Sequence, residues 1–263
     1  MDTRTILIVA GIVLAVVGVW LLLSYTPGDT FLNPFSGQRE SVALPEDWQI
    51  RLGRDSARDV ERELGGQLHN PELQSRVRQI GRDLVGALRR WERQYQDPRW
   101  NAFPFRFQIV ASDQVNALAL PGGPIYITRG LLAKLQRNEE IAGVLGHELG
   151  HVVLRHGAEK LAANLKTSAA LWGVKRIFGQ EPAEWAGGAA ALLNLKYSRD
   201  QEREADRFGY QLACLSNYDP QGLIGVLRVL RSMQSGQGTL EIFQTHPHPG
   251  NRIQALRTER CNF

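Results

Sequence analysis

The chain has 263 residues, of which 43% are hydrophobic and 22% charged, and its formal net charge is +4. A chain of this length can bury a full hydrophobic core. Its basic residues form no Lys/Arg-rich run, which argues against a nucleic-acid partner, and the sequence contains no internal repeat or long low-complexity tract.

The N-terminus carries a run of nineteen uncharged residues from Thr5 to Leu23. As a helix, such a run is long enough to cross a hydrocarbon layer of ~30 Å. We therefore predict one transmembrane helix within residues 1–25, followed at 26–45 by a linker or irregular lead-in rich in proline and glycine. A cleaved signal peptide is the alternative, but the apolar run is long for one and no clear A-x-A site follows it.

The charges around this run indicate which way the chain faces. Arg4 and the amino terminus precede it, and Asp29 is the first charge after it. This pattern favours a cytoplasmic N-terminus and, in a bacterium, a single-pass inner-membrane protein whose main domain, residues 46–263, lies in the periplasm. A disulfide between Cys214 and Cys261 would fit that oxidising compartment, although two buried thiols fit the sequence equally well.

Two amphipathic helices are predicted to begin the main domain. Apolar residues recur at steps of three and four along residues 46–68 and again along 71–95. Asn70 can cap the second helix, and Pro71 suits its first position because that position needs no backbone N–H donor.

Short strands are predicted next. Phe105 to Ala111 alternates between apolar and polar residues, and residues 116–128 contain two further strands joined across Pro121-Gly122-Gly123-Pro124. We predict a small antiparallel sheet and hence an α+β, mostly helical domain. Its edge could bind an extended peptide by strand addition, although a purely structural hairpin explains the pattern equally well. That edge would comprise Asn116, Ala117, Leu118 and Ala119.

A helix predicted over Glu139 to His156 carries His147-Glu148-Leu149-Gly150-His151, an H-E-x-x-H motif. Histidines four residues apart lie one turn apart on the same face of a helix. Both imidazoles can therefore reach one tetrahedral zinc ion, with Glu148 beside them as a base for the attacking water.

The flanks of the motif also favour a helix. Asn138 can cap its start, and Gly157 suits its end. Gly143, Gly146 and Gly150 weaken a helix by up to ~1 kcal/mol each relative to alanine. We expect a substrate or a neighbouring helix to pack closely against these glycines.

A third ligand is predicted on a later helix, because a catalytic zinc usually takes three protein ligands. Glu202 and Asp206 are four residues apart and share a helical face, whereas Glu204 lies roughly 200° from Glu202. We assign Glu202 to the zinc and Asp206 to accept an N–H from a ligand histidine, which fixes its tautomer. An exposed acidic helix face is the alternative.

Two further histidines are candidates near the metal. His156 lies nine residues after His147, half a turn out of phase, and we predict that it caps the end of its helix. His246, in a loop, could stabilise the oxyanion or occupy the open position on the zinc.

These motifs, together with His246-Pro247 and Arg252, resemble the family-forty-eight zinc metallopeptidases, the HtpX-like and Oma-like proteases related to the CAAX prenyl proteases. The resemblance covers about residues 46–260, but the multi-span core of HtpX-like members is missing. The closer likeness is to single-anchor or soluble bacterial members of periplasmic quality control. It implies a zincin-like, gluzincin fold.

By that resemblance, His147, His151 and Glu202 bind one Zn²⁺ per chain, Glu148 is the catalytic residue and His246 is an active-site residue. The implied activity is that of a zinc metalloendopeptidase acting on unfolded or misassembled envelope and membrane proteins. One alternative is a zinc-stabilised chaperone or assembly factor, against which the intact Glu148 argues. Another is a latent protease that is inhibited by His246 on the metal.

Overall fold

A computed structural model describes residues 10–11, 13–14, 17, 28–95, 98–164, 189–234, 240–246 and 250–262. The anchor predicted over Thr5 to Leu23 lies largely outside these residues. Among the helices of the described residues, none is long and apolar enough to cross a membrane.

Helices dominate the described residues, and the strands are short, which confirms the predicted α+β, mostly helical class. The helices are α1 (Glu46–Glu63), α2 (Pro71–Tyr95), α3 (Arg129–Leu132), α4 (Asn138–Val153), α5 (156–164), α6 (Ala189–Leu193), α7 (Arg199–Leu215), α8 (Gln221–Gln234), α9 (Ile242–Thr245) and α10 (Gly250–Thr258). The strands are β1 (Asp29–Leu32), β2 (Arg39–Val42), β3 (Arg106–Val110), β4 (Ala117–Ala119) and β5 (Pro124–Thr128).

The central sheet is mixed rather than antiparallel. Its strand order is β3-β5-β4, and β4 pairs antiparallel with β5 across the predicted Pro-Gly-Gly-Pro turn. However, β3 pairs with β5 in parallel, so the prediction of an antiparallel sheet is wrong for this pair. Residue alternation predicts which face of a strand is buried, but it carries no information about the direction of a distant partner.

The stretch predicted as a linker or irregular lead-in contains a β-hairpin. Strands β1 and β2 pair antiparallel, and Phe31 of β1 is buried in the main core. Trp100 Nε1 donates a hydrogen bond to the Leu32 carbonyl at 2.8 Å. These contacts with distant residues hold the hairpin in place, and they explain why its local composition predicted irregular chain instead.

Helix α4 begins with a different cap from the predicted one. The Glu140 carboxylate turns back and accepts the backbone N–H groups of Gln136 and Arg137 at 2.8 and 3.1 Å. Asn138 is already the first helical residue, and its Oδ1 accepts a hydrogen bond from Arg76 Nε at 2.7 Å. The prediction of Asn138 as the cap is therefore wrong, because a side chain on α2 takes its oxygen.

Helix α4 also ends earlier than the sequence predicted. It stops at Val153, and Arg155 adopts a positive φ of 56° before α5 begins. Gly157 lies inside α5 and does not end α4. The Arg155 side chain is fully buried and donates to Asp29 Oδ2 at 2.6 Å and to the Arg99 carbonyl at 2.9 Å, and these bonds favour the unusual backbone conformation.

The glycines of α4 face neighbouring helices, as expected from their positions. A Cβ added to Gly146 would lie 3.0 Å from the Cα of Gly209 on α7, and one added to Gly143 would lie 2.8 Å from the Cα of Leu223 on α8. The backbones of α4 and α7 therefore touch beside His147. A side chain at Gly146 would push α4 away from α7, and these two helices carry His147, His151 and Glu202.

The C-terminal segment is fastened to α7. Cys214 and Cys261 form a disulfide, which decides between the two possibilities that the sequence left open. Gln211 Nε2 also donates to the Arg260 carbonyl at 2.7 Å. Together these links hold α10 against the helix that carries Glu202.

Candidate metal centre

Three predicted ligands converge at the contact between α4 and α7. The Nε2 atoms of His147 and His151 are 3.1 Å apart. Glu202 Oε1 lies 3.3 Å from His151 Nε2, and Glu202 Oε2 lies 3.7 Å from His147 Nε2. Around a tetrahedral zinc with bonds of about 2.0–2.1 Å, neighbouring ligand atoms are roughly 3.4 Å apart. The three side chains therefore fit a zinc ion without rearrangement of the backbone.

The start of α7 holds Glu202 in this position. Ser198 Oγ accepts the Gln201 N–H at 3.2 Å, while Gln201 Oε1 accepts the Ser198 N–H at 3.0 Å. This reciprocal capping box begins the helix at Arg199 and puts Glu202 in its first turn, near the positive end of the helix dipole.

Glu148 projects into the same buried space. Its side chain is 2% exposed, and its Oε2 atom has no hydrogen-bond partner among the described residues. Burial raises its pKa, although the nearby His246 and His147 partly oppose this effect. A buried carboxylate oxygen without a partner is costly, so this atom suits a water molecule or a substrate group as its partner.

Asp206 lies beside His147, on the ring nitrogen that faces away from the cluster. Its Oδ1 is 2.9 Å from His147 Nδ1. Arg252, from α10, donates to both Asp206 oxygens at 2.6 Å and contacts Glu202 Oε2 at 2.5 Å. Burial would raise the pKa values of both carboxyl groups, but Arg252 helps to keep the pKa of each below its ordinary value, and His246 does the same at Glu202. Both groups therefore stay ionised.

His246 joins the cluster from the end of α9. Its Nδ1 lies 2.8 Å from Glu202 Oε1 and 3.4 Å from His147 Nε2, and its Nε2 lies 3.7 Å from Glu148 Oε1. Burial lowers the pKa of His246, but the two carboxylates outweigh that effect and raise it. Ligand atoms of His147, His151, Glu202 and His246 all lie within 4.8 Å of one another.

The surroundings of His151 include residues to which the sequence analysis gave no role at the metal. The ring of Tyr197 stacks on the His151 ring, with 3.8 Å between the centroids. His156 does not cap α4; its Nδ1 lies 3.0 Å from His151 Nδ1, and its Nε2 lies 3.3 Å from Glu204 Oε2. The predicted cap is wrong because the chain turns at Arg155 before it reaches His156.

The predicted substrate edge lies next to these residues. Strand β4 forms one edge of the sheet, and the hydrogen bonds that flank it join Leu120 to Pro124 and Asn116 to Thr128. Hydrogen-bonded pairs alternate along an antiparallel ladder, so the backbone groups of Ala117 and Ala119 point away from β5. The Asn116 side chain accepts the Ala117 N–H at 2.9 Å, and the Leu118 side chain lies in a small apolar cluster.

An apolar pocket opens beside Ala117, Glu148 and His246. Its floor is formed by the inner face of α8 and by α9. The apolar residues lining that floor are Leu223, Val226, Leu227, Leu230, Ile242 and Phe243. The pocket is therefore mainly apolar and lies directly beside the Glu148 carboxylate.

Comparison with known proteins identifies relatives of this chain. The model of peptidase family M48 matches residues 71–260. The chain is 34% identical to Metalloprotease YcaL of Escherichia coli over 161 residues, covering 60% of this chain and 63% of that protein. It is 26% identical to the Beta-barrel assembly-enhancing protease of Yersinia pestis over 237 residues, covering 86% of this chain and 46% of that protein.

A eukaryotic relative matches a similarly long part of the chain. The Mitochondrial metalloendopeptidase OMA1 of Schizosaccharomyces pombe is 25% identical over 229 residues, covering 85% of this chain and 64% of that protein. The chain thus spans less than two thirds of the length of each of these three relatives.

Proposed function

This chain belongs to peptidase family M48, and from that premise we propose that it is a zinc-dependent endopeptidase that cuts envelope or membrane proteins. The observation that carries the proposal is the convergence of two imidazoles and one carboxylate around a buried point, with Glu148 beside it. This donor set is typical of catalytic zinc sites, which use three protein ligands and keep one position open.

In this proposal, three side chains bind the metal and Glu148 transfers the proton during hydrolysis. His147, His151 and Glu202 would hold a zinc ion, which would supply Lewis acidity to the scissile carbonyl and to a nearby water molecule. Glu148 takes a proton from that water and later donates it to the leaving amine. The raised pKa of Glu148 suits this exchange, because the carboxyl group must both accept and release a proton.

The substrate is proposed to bind in an extended conformation along β4. The Ala117 carbonyl and the backbone of Ala119 would pair with the substrate, while the Asn116 side chain accepts the Ala117 N–H. Unfolded segments supply such extended chain, whereas a folded protein does not. The need for an extended chain along β4 would therefore favour unfolded or misassembled proteins as substrates.

We propose that His246 would be a further ligand of a bound zinc ion in the resting protein, together with His147, His151 and Glu202. Its Nδ1 lies 2.8 Å from Glu202 Oε1, whereas its Nε2 lies 3.7 Å from Glu148 Oε1. A protein in this state is latent, and the side chain must swing away before a peptide bond can approach. After that movement, His246 is available to stabilise the oxyanion.

The proposed location is the bacterial envelope. The apolar run over Thr5 to Leu23 would anchor the chain in the inner membrane, with the peptidase domain in the periplasm. The disulfide between Cys214 and Cys261 supports an oxidising compartment. A relative named for enhancing β-barrel assembly supports envelope proteins as the substrate class.

The decisive test compares wild-type protein with Glu148→Gln in zinc content and in cleavage of casein. We expect one zinc per chain in both proteins, and a loss of cleavage of about 10²–10⁴-fold in the variant. Glu139→Gln, the same chemical change in the first turn of α4, serves as the matched control and should cleave normally.

Two results would count against the proposal. Full cleavage by Glu148→Gln would remove the role of the carboxylate. A wild-type protein that prevents aggregation of unfolded casein without cutting it, with or without a chelator, would favour the chaperone alternative.

A further inference from the structure

His151 has a buried partner on each of its two ring nitrogens. Its Nε2 faces the ligand cluster, 3.1 Å from His147 Nε2 and 3.3 Å from Glu202 Oε1. Its Nδ1 faces the opposite way and lies 3.0 Å from His156 Nδ1. Since the two nitrogens point in opposite directions, His156 does not bind the same metal ion and instead contacts the ligand from behind.

The proton positions along this contact follow from the metal site. An imidazole that binds zinc through Nε2 carries its proton on Nδ1, so His151 donates to His156 Nδ1. His156 Nδ1 is then the acceptor of this bond, which leaves its Nε2 as a donor. That N–H donates to Glu204 Oε2 at 3.3 Å. One arrangement of protons therefore satisfies every nitrogen from the metal to Glu204.

The break at Arg155 makes this contact possible. On a continuous helix, side chains five residues apart are separated by roughly 140° around the axis, at ~100° per residue. His151 and His156 would then point to different sides. The positive φ of Arg155 ends α4 and redirects the chain, so that His156 returns to the ring of His151.

The outer end of the contact is fixed by the N-terminal hairpin. Asn33, which is completely buried, donates from Nδ2 to Glu204 Oε1 at 3.1 Å and to Glu40 Oε1 at 2.8 Å. The position of Glu204 on α7, about 200° from Glu202, directs it away from the ligands and towards this hairpin. The chain of hydrogen bonds thus runs from a ligand to the loop between β1 and β2.

We propose that His156 and Glu204 are positioning residues that hold His151 in the tautomer and orientation needed to bind zinc. The inference rests on the proposed function, because it takes His151 to be a ligand. In this arrangement His156 is the partner of His151 on the ring nitrogen that faces away from the metal, as Asp206 is for His147. Such partners raise zinc affinity typically by about 10–100-fold.

The test measures the zinc dissociation constant by competition with a chromogenic chelator, together with the absorption spectrum of the Co²⁺-substituted protein. His156→Phe removes the acceptor and should weaken zinc binding by about 10–100-fold. His156→Asn keeps an oxygen near the position of Nδ1 and should restore much of the loss. Glu204→Ala should weaken binding by several-fold and shift the Co²⁺ spectrum in the same sense as His156→Phe.

Glu259→Ala is the matched control for Glu204→Ala. Glu259 also pairs with α7, through Arg207 at 3.3 Å and Gln211 at 3.1 Å, but neither partner contacts a candidate ligand. Its truncation should lower thermal stability as much as Glu204→Ala does and leave zinc affinity unchanged. A loss of zinc affinity in this control equal to that of Glu204→Ala would assign the effect to general stability and overturn the inference.

The remaining outcomes are also decisive. Folded His156→Phe with the zinc affinity and Co²⁺ spectrum of wild type overturns the inference. If His156→Phe fails to fold, an unchanged zinc affinity in Glu204→Ala overturns the inference instead. This variant should fold, because the Glu204 side chain is 34% exposed and its removal leaves the core intact. Failure of the wild-type chain to bind zinc would refute the proposed function itself and is recognised separately.

Discussion

Two buried arginines support the surroundings of His147 and His151. Arg252 lies on the side of His147 and Arg155 on the side of His151, and the two act differently. Arg252 donates to Asp206, the partner of His147, and contacts Glu202 directly. Arg155 instead pairs with Asp29 of the hairpin and lies over the ring of Phe103 at 4.3 Å. One arginine sets the charge of the site, whereas the other sets the path of the backbone.

The two arginines also differ in whether their partners lie inside the region that the family model matches. The Arg252 side lies wholly within residues 71–260, the region that the family model matches. The Arg155 side reaches outside it, to Asp29 and Asn33 of the hairpin. A fragment that contains only the matched region would therefore keep the partner of His147 and lose the outer support of His151.

The largest effect is expected at Arg252. Arg252→Met leaves the buried carboxylates of Asp206 and Glu202 without their cation, and removal of one partner from a buried ion pair costs about 3–5 kcal/mol. Zinc affinity should fall as well, because Arg252 contacts the candidate ligand Glu202 directly. Urea unfolding and zinc competition measure the two quantities; a variant within about 1 kcal/mol of wild type would contradict this interpretation of the charge network.

A smaller combined effect is expected at Arg155. Arg155→Met should lower the free energy of unfolding by about 3 kcal/mol, since it leaves Asp29 buried without its ion pair. Zinc affinity should fall less than in Arg252→Met, because the loss reaches His151 only through the backbone turn and His156. Equal losses of zinc affinity in the two variants would remove the distinction drawn between the two arginines.

The smallest change in stability is expected at His246, which lies on the Arg252 side of the site. His246→Ala should change the free energy of unfolding by about 1 kcal/mol, yet raise cleavage of casein several-fold, because it would free the metal position that His246 is proposed to occupy. Arg252→Met and His246→Ala should thus move activity in opposite directions. A fall in activity of His246→Ala at unchanged zinc content would show that oxyanion stabilisation outweighs inhibition.

Local spacing predicted much of the ligand cluster. The separation of four residues between His147 and His151, and again between Glu202 and Asp206, is a property of a single helix and can be read without knowledge of the fold. The structure brings the first three of these residues together and puts Asp206 against His147.

Features that depend on distant contacts were not predicted. The break at Arg155 needs Asp29 and the Arg99 carbonyl to stabilise it, so no local pattern indicated that His156 would meet His151. The hairpin depends on burial of Phe31 in the main core. Arg252 stood out only through the family resemblance, because its partners lie 46 and 50 residues earlier in the chain.

The close approach of Gly146 to Gly209 has a consequence for the newly made protein. His147 and His151 come from one helix and Glu202 from another, and these helices are in backbone contact at Gly146 and Gly209. A nascent chain that has not reached this contact carries two histidines but no third donor beside them. The proposed metal site would therefore be complete only after folding, so the proposed peptidase would be inactive while the chain is being made.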